Sequence, residues 1–132
     1  MATETRHIIV WIDRPAADVY LFVANPENLP AWASGLGHGI EKVDGTWMVD
    51  TPMGRVEVSF VGSNALGVLD HRVTLPSGES FCNPMRVLAD DEGSEVVFTL
   101  RRRDTQSYEG FCADVEMVEV DLARLKLTLE SA

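Results

Sequence analysis

The chain is poor in cysteine, in histidine, in positive charge and in long apolar runs, and each shortage excludes something. Two cysteines in 132 residues, Cys82 and Cys112, make no disulfide framework, and no stretch reads as a signal peptide. Free thiols in a reducing compartment, and hence a cytoplasmic address, are expected. No apolar run approaches the roughly 18 residues of a membrane-spanning helix, so no membrane span is expected. The three histidines, His7, His38 and His71, are scattered and share no zinc-ligand spacing with the cysteines. Neither a metal nor a cofactor is expected. With 11 basic against 21 acidic residues, the formal charge of −10 repels phosphate backbones, which argues against nucleic acid as a partner. The one basic cluster, Arg101 to Arg103, reads as the solvated end of a strand. Gly35, Gly37 and Gly39 lack both phosphate-binding glycine patterns and read as a hinge. There is no G-x-S-x-G elbow, and Asp70 and His71, adjacent on a strand, point to opposite faces and form no dyad. No internal repeat, biased segment or linker divides the chain, so residues 1–132 are read as a single domain.

What is present is a change of period along the chain. His7 to Asp13, rich in β-branched residues, reads as a strand that Arg14-Pro15 turns into a helix over Ala16 to Ala24. Asn25-Pro26 ends that helix and caps a short second one from Glu27 to Ser34. From Ile40 the apolar period falls to two. Asp44-Gly45 joins Ile40–Val43 to Thr46–Thr51 as a two-residue hairpin, and after a turn at Pro52 to Gly54 the segment Arg55–Val61 alternates cleanly. Leu66–Leu75, Ser80–Leu88 and Glu95–Arg101 follow, separated by turns at Pro76-Ser77-Gly78 and at Asp90 to Gly93. Ser107 to Leu129 then reads as one long helix, with Phe111, Val115, Val118, Leu122, Leu125 and Leu129 on one stripe. Ser107 suits its N-cap. The expected order is β-α-α-β6-α, an α+β class.

That order resembles the helix-grip fold of the START-like (SRPBCC) superfamily, which includes polyketide cyclases, aromatase/cyclases and lipid-transfer domains. The resemblance rests on Arg14-Pro15 leading into Asp18-Val19-Tyr20, on the segment Asn25-Pro26-Glu27-Asn28-Leu29-Pro30-Ala31-Trp32, and on the final helix. It covers nearly the whole chain and is similar to the polyketide cyclase and lipid-transport branch. It implies a curved antiparallel sheet of about seven strands wrapped around the long C-terminal helix, with an apolar or aromatic ligand between them. It implies a pocket, not a reaction, because proteins of this superfamily share no catalytic motif.

Alternation nominates the residues that line such a pocket. Leu69, His71, Val73 and Leu75 share one strand face, so His71 is the notable polar group inside: either an acid/base or ligand hydrogen-bonding group, or a satisfied core histidine. Phe81, Asn83, Met85 and Val87 share another face, on which Asn83 suits a ligand-orienting amide, while Pro84 suggests an edge or a bulge. Trp32 and Trp47 bring broad apolar faces with one N–H each, Phe60 shares an inward face with Val56 and Val58, and Tyr108, Phe111 and Val115 begin the long helix. Each of these also has a plain packing role open to it. The expected division along the helix is that Val118, Leu122 and Leu125 anchor it, while Tyr108, Phe111 and Val115 meet a ligand.

Three functional classes remain. The first is binding or transport of a small hydrophobic or aromatic molecule, and the second a cyclase- or dehydratase-like enzyme with His71 as acid/base, helped by Asn83. The third is a protein-partner module that uses a sheet edge or an apolar patch. The first two call for a cavity of about 300 Å³ or more. The protein is expected as a monomer or a homodimer.

Overall fold

A computed structural model describes residues 2–33, 39–52 and 54–131. Strand β1 (Thr5–Ile12) leads through Pro15 into helix α1 (Ala16–Ala24), and the Pro15 carbonyl accepts from the Asp18 and Val19 amides. The Asn25 side chain accepts from the Glu27 amide and starts a single 3-10 turn, which runs into the short helix α2 (Leu29–Trp32). The expected end of that helix at Ser34, His38, the hinge glycines Gly35 and Gly37, and Met53 in the expected turn lie outside the described residues.

Strands β2 (Ile40–Val43), β3 (Thr46–Thr51), β4 (Gly54–Phe60), β5 (His71–Thr74), β6 (Ser80–Asn83), β7 (Met85–Asp90) and β8 (Gly93–Arg101) are antiparallel neighbours throughout. They form a five-stranded run β2-β3-β4-β5-β6 and a three-stranded run β1-β8-β7. Asp44 and Gly45 both take positive φ, as a two-residue hairpin with right-handed twist requires.

Eight strands therefore stand where about seven were expected. The difference is Pro84, which has no N–H to donate and splits Ser80–Leu88 into β6 and β7 at the point where the sheet changes from one run to the other. Leu66–Leu75 also shortens to β5. Asn64 is the cause: its Oδ1 accepts from the Leu66 and Val68 amides at 3.0 Å and its Nδ2 donates to the Val68 carbonyl at 2.9 Å, which folds the preceding segment into a loop.

Helix α3 (Tyr108–Glu130) packs on β1 and α2 and closes the fold. Ser107 caps it by accepting from the Gly110 amide. Its C-terminal end is tied down: Arg14 donates to the Leu129 carbonyl at 2.7 Å, Lys126 to the Trp11 carbonyl at 2.8 Å, and the Asp13 amide to Glu130 at 2.9 Å. Leu122, Leu125 and Leu129 fill the core there, and Phe111 is buried near the other end. Residues 114–121 lie between these anchors, where the helix faces a gap instead of a packed sheet.

Candidate functional site

The gap is a cavity of about 220 Å³ between the inner sheet face, α2 and α3. Its deep wall comes from strands whose alternation sends every second side chain inward: Val56 from β4, His71 and Val73 from β5, Asn83 from β6, and Phe98 and Leu100 from β8, all buried. Leu29 and Trp32 of α2 close one side. Half-buried or exposed residues of the wall include Arg103, Asp114, Met117 and Asp121, with Thr51, Leu75, Phe81 and Val118.

His71 is the only titratable group in the deep wall described here. Its ring lies between Phe60, centroid to centroid 4.9 Å, and the edge of Phe98 at 5.6 Å. Its Nδ1 sits 3.1 Å from the Leu69 carbonyl, and a carbonyl can only accept, so Nδ1 carries the proton. Nε2 is left as a lone pair, 3.5 Å from the Asn83 amide nitrogen. Burial pushes the His71 pKa down from its ordinary value, against the opposing pull of the Leu69 hydrogen bond and the Asp70 charge. The ring is therefore uncharged at neutral pH. Trp32 adds a second unspent group, since its indole N–H is buried and has no hydrogen-bond partner.

The structure brings His71, Trp32 and Asn83 together in this wall and distributes the other sequence candidates elsewhere. Phe60 lies beside His71 as its cross-strand partner on β4. Met85 is fully buried in the core, and Trp47 faces Lys42, whose ammonium lies 5.5 Å from its ring. On α3, Phe111 is fully buried, Val115 packs against the core, and Tyr108 is 51 % exposed with Arg102 over its ring. Val118, expected as an anchor, packs against the core and also lines the cavity.

Several wall residues escaped the sequence reading. Arg103 was expected to be solvated, but its guanidinium stacks on Phe81, 4.8 Å from the ring centroid, and pairs with Glu79 at 3.3 Å. Asp114 and Asp121 carry a legible signal: with Val118 they are spaced four and three apart, which is one line along a helix. Asp114 accepts from the Gln106 side chain.

A second groove, of about 510 Å³, lies outside the sheet between α1, the 64–67 loop and β7. It is larger but shallow, with Leu21 69 % and Leu66 78 % exposed, and the Asn64 side chain in it is saturated by four hydrogen bonds to backbone groups. Nothing in it calls for a ligand. Among the described residues no three His, Cys, Asp or Glu side chains are grouped to hold a metal, and no helix is long and apolar enough to cross a membrane.

No family model and no curated protein matches the chain. Solved structures do. The crystal structure of Ara h 8.0201 is similar over 99 % of this chain and 100 % of that one, at 16 % identity and a TM-score of 0.74. A START superfamily protein from Mycobacterium smegmatis is similar over 96 % and 97 %, at 12 % identity and a TM-score of 0.68. The di-domain ARO/CYC BexL is similar over 96 % of this chain but 46 % of its own length, at 15 % identity and a TM-score of 0.70.

Proposed function

We propose that the protein, which shares the helix-grip fold of START-like solved structures, binds a small hydrophobic or aromatic molecule in the cavity between the sheet and α3. The observation that carries this reading is an apolar cavity whose wall retains two groups without strong partners, the Trp32 N–H and the long, weak contact at His71 Nε2. A buried donor left unpaired costs about 1–3 kcal/mol, which a ligand acceptor or an aromatic face relieves.

The volume narrows the class. At about 220 Å³ the cavity is smaller than the roughly 300 Å³ expected for either small-molecule class, the lower end of drug-sized sites, yet it exceeds the ~150 Å³ that takes up benzene, which confines the reading to ligands of single-ring size. A single ring or a short acyl chain fits, and a multi-ring polyketide does not. Neighbours such as the ARO/CYC BexL support a ligand-holding role without naming the ligand.

Trp32 is the buried tryptophan of the three, so a ligand in the cavity changes its emission. Titration with single-ring aromatics should shift the wild-type spectrum, and Val118→Phe, which fills the wall, should remove the response without lowering Tm. A response that survives Val118→Phe places the ligand elsewhere and overturns this reading.

A second reading has its own observation, the neutral Nε2 lone pair of His71 in the wall. A group so placed can accept a proton from a bound ligand and return it. In that case His71→Ala abolishes turnover while Trp32 still reports binding; turnover that persists removes His71 from any mechanism.

A further inference from the structure

The hydrogen bonds left open in the cavity wall say what a ligand must bring. The register of β5 and β6 places His71 opposite Asn83, and both side chains are buried in that wall. The His71 Nδ1–H is committed to the Leu69 carbonyl, so Nε2 offers a lone pair and no proton. The Asn83 amide nitrogen lies 3.5 Å from it, at the outer limit of a hydrogen bond. An acceptor and a donor thus stand side by side, joined too loosely to satisfy each other.

A hydroxyl fits both. Its proton goes to Nε2 and its oxygen accepts from the Asn83 amide, each at the roughly 2.7–3.0 Å that such bonds prefer. An ether or a ketone can use only the amide and leaves Nε2 unpaired in a buried site. A phenolic O–H, being more acidic than an alkyl one, is the stronger donor to an imidazole. The Trp32 N–H, unpaired in the same wall, is served by the π face of a ring, which an alkyl alcohol lacks.

The surroundings call for a neutral molecule. Val56, Val73, Phe98 and Leu100 are buried in the same wall, so a carboxylate or an ammonium would be desolvated there. The uncharged His71 ring supplies no counter-ion, and the Arg103 guanidinium is already engaged by Glu79 and by the ring of Phe81.

We infer that His71 is the specificity-determining residue of this cavity and that the ligand is a neutral single-ring phenol, whose hydroxyl donates to Nε2 and accepts from Asn83. This inference rests on the ligand-binding reading above.

The test compares para-cresol with its isomer anisole, which has the same heavy-atom count and one ring but no O–H. Each is titrated into the whole chain at neutral pH and followed by calorimetry. Para-cresol should bind at least about fivefold more tightly, as one net buried hydrogen bond gives. His71→Phe keeps a ring beside Phe60 and Phe98 but removes the acceptor. It should cut the ratio of cresol to anisole affinity by about threefold or more, a ratio that a looser fold or a smaller cavity does not move between isomers. Should that variant fail to fold, His71→Leu serves in its place. Anisole binding as tightly as para-cresol, the result expected if the Trp32 N–H selects the ligand, overturns the inference and leaves ligand binding standing. So does a cresol preference that survives the loss of the imidazole. Binding of neither probe removes the ligand-binding reading and the inference with it.

Discussion

His71 and Asn83 face each other across β5 and β6 as a register pair, with the amide nitrogen of one 3.5 Å from Nε2 of the other. The pairing puts an imidazole and an amide side by side on the inner face, where neither reaches bulk water. It also fixes the protonation of the ring, since Nδ1–H is spent on the Leu69 carbonyl and a second proton would have to sit on Nε2 in an apolar site facing the Asn83 amide.

The first prediction follows from that ring. Burial lowers its pKa in the folded state, so the unfolded chain binds this proton more readily. The contribution of His71 to stability is therefore fully present above the unfolded value of about 6.5 and is lost as pH falls below it, toward the folded value. Urea unfolding at pH 7.5, 6.5 and 5.5 should show a steeper loss for the wild type than for His71→Gln. Identical slopes for the two proteins would mean that the ring charges freely in the folded state.

Gly67 and Gly45 form a controlled pair for the second. Both have positive φ, +71 and +82. A Cβ at Gly45 meets nothing within 4 Å, whereas one at Gly67 would come 2.2 Å from the Val87 carbonyl oxygen, next to the Val87 N–H that donates to the Gly67 carbonyl. Gly45→Ala should cost only backbone strain, about 1 kcal/mol. Gly67→Ala adds a clash with main chain and should cost about 3 kcal/mol, lowering Tm by roughly 10 °C. Thermal unfolding of the two variants side by side checks it, and equal shifts would show that the 67–87 approach relaxes.

Much of the fold was legible because its causes are local. Alternation at 69, 71 and 73 selects a strand face whatever lies opposite, Asp44-Gly45 supplies the turn its hairpin needs, and Ser107 caps the nearest amides. The split at Pro84 was half visible, since the missing N–H signals an interruption but not that the sheet changes runs there. Asn64 was not visible as a loop-maker, because a side chain that satisfies four backbone groups looks like any other asparagine until the loop closes. The site was legible where it lies on strands, at His71 and Asn83, and in Trp32. It was not legible on α3, where the apolar stripe shows which face turns inward but not where the helix stands off the sheet. That distance is set far away, by Arg14 on the Leu129 carbonyl and Lys126 on the Trp11 carbonyl. Hence Val118 took the place in the wall that the stripe suggested for Phe111.

The last prediction separates a buried from an exposed ring at the start of α3, where Tyr108 and Phe111 are one turn apart and have opposite roles. Phe111 is fully buried, so Phe111→Ala should cost about 3–5 kcal/mol, and if that variant does not fold, Phe111→Leu should still lower stability by about 1–2 kcal/mol. Tyr108 is 51 % exposed and its one aromatic contact is the Arg102 guanidinium, 5.8 Å away, a contact worth about 0.5–1 kcal/mol at an exposed site. Tyr108→Ala should therefore unfold within about 1 kcal/mol of the wild type and, because the ring lies outside the cavity wall, bind single-ring aromatics with the same affinity. Denaturant unfolding and Trp32 emission give both quantities on one sample. Loss of binding in Tyr108→Ala at unchanged stability would move the ligand to the outer end of the helix and leave the enclosed cavity without an occupant.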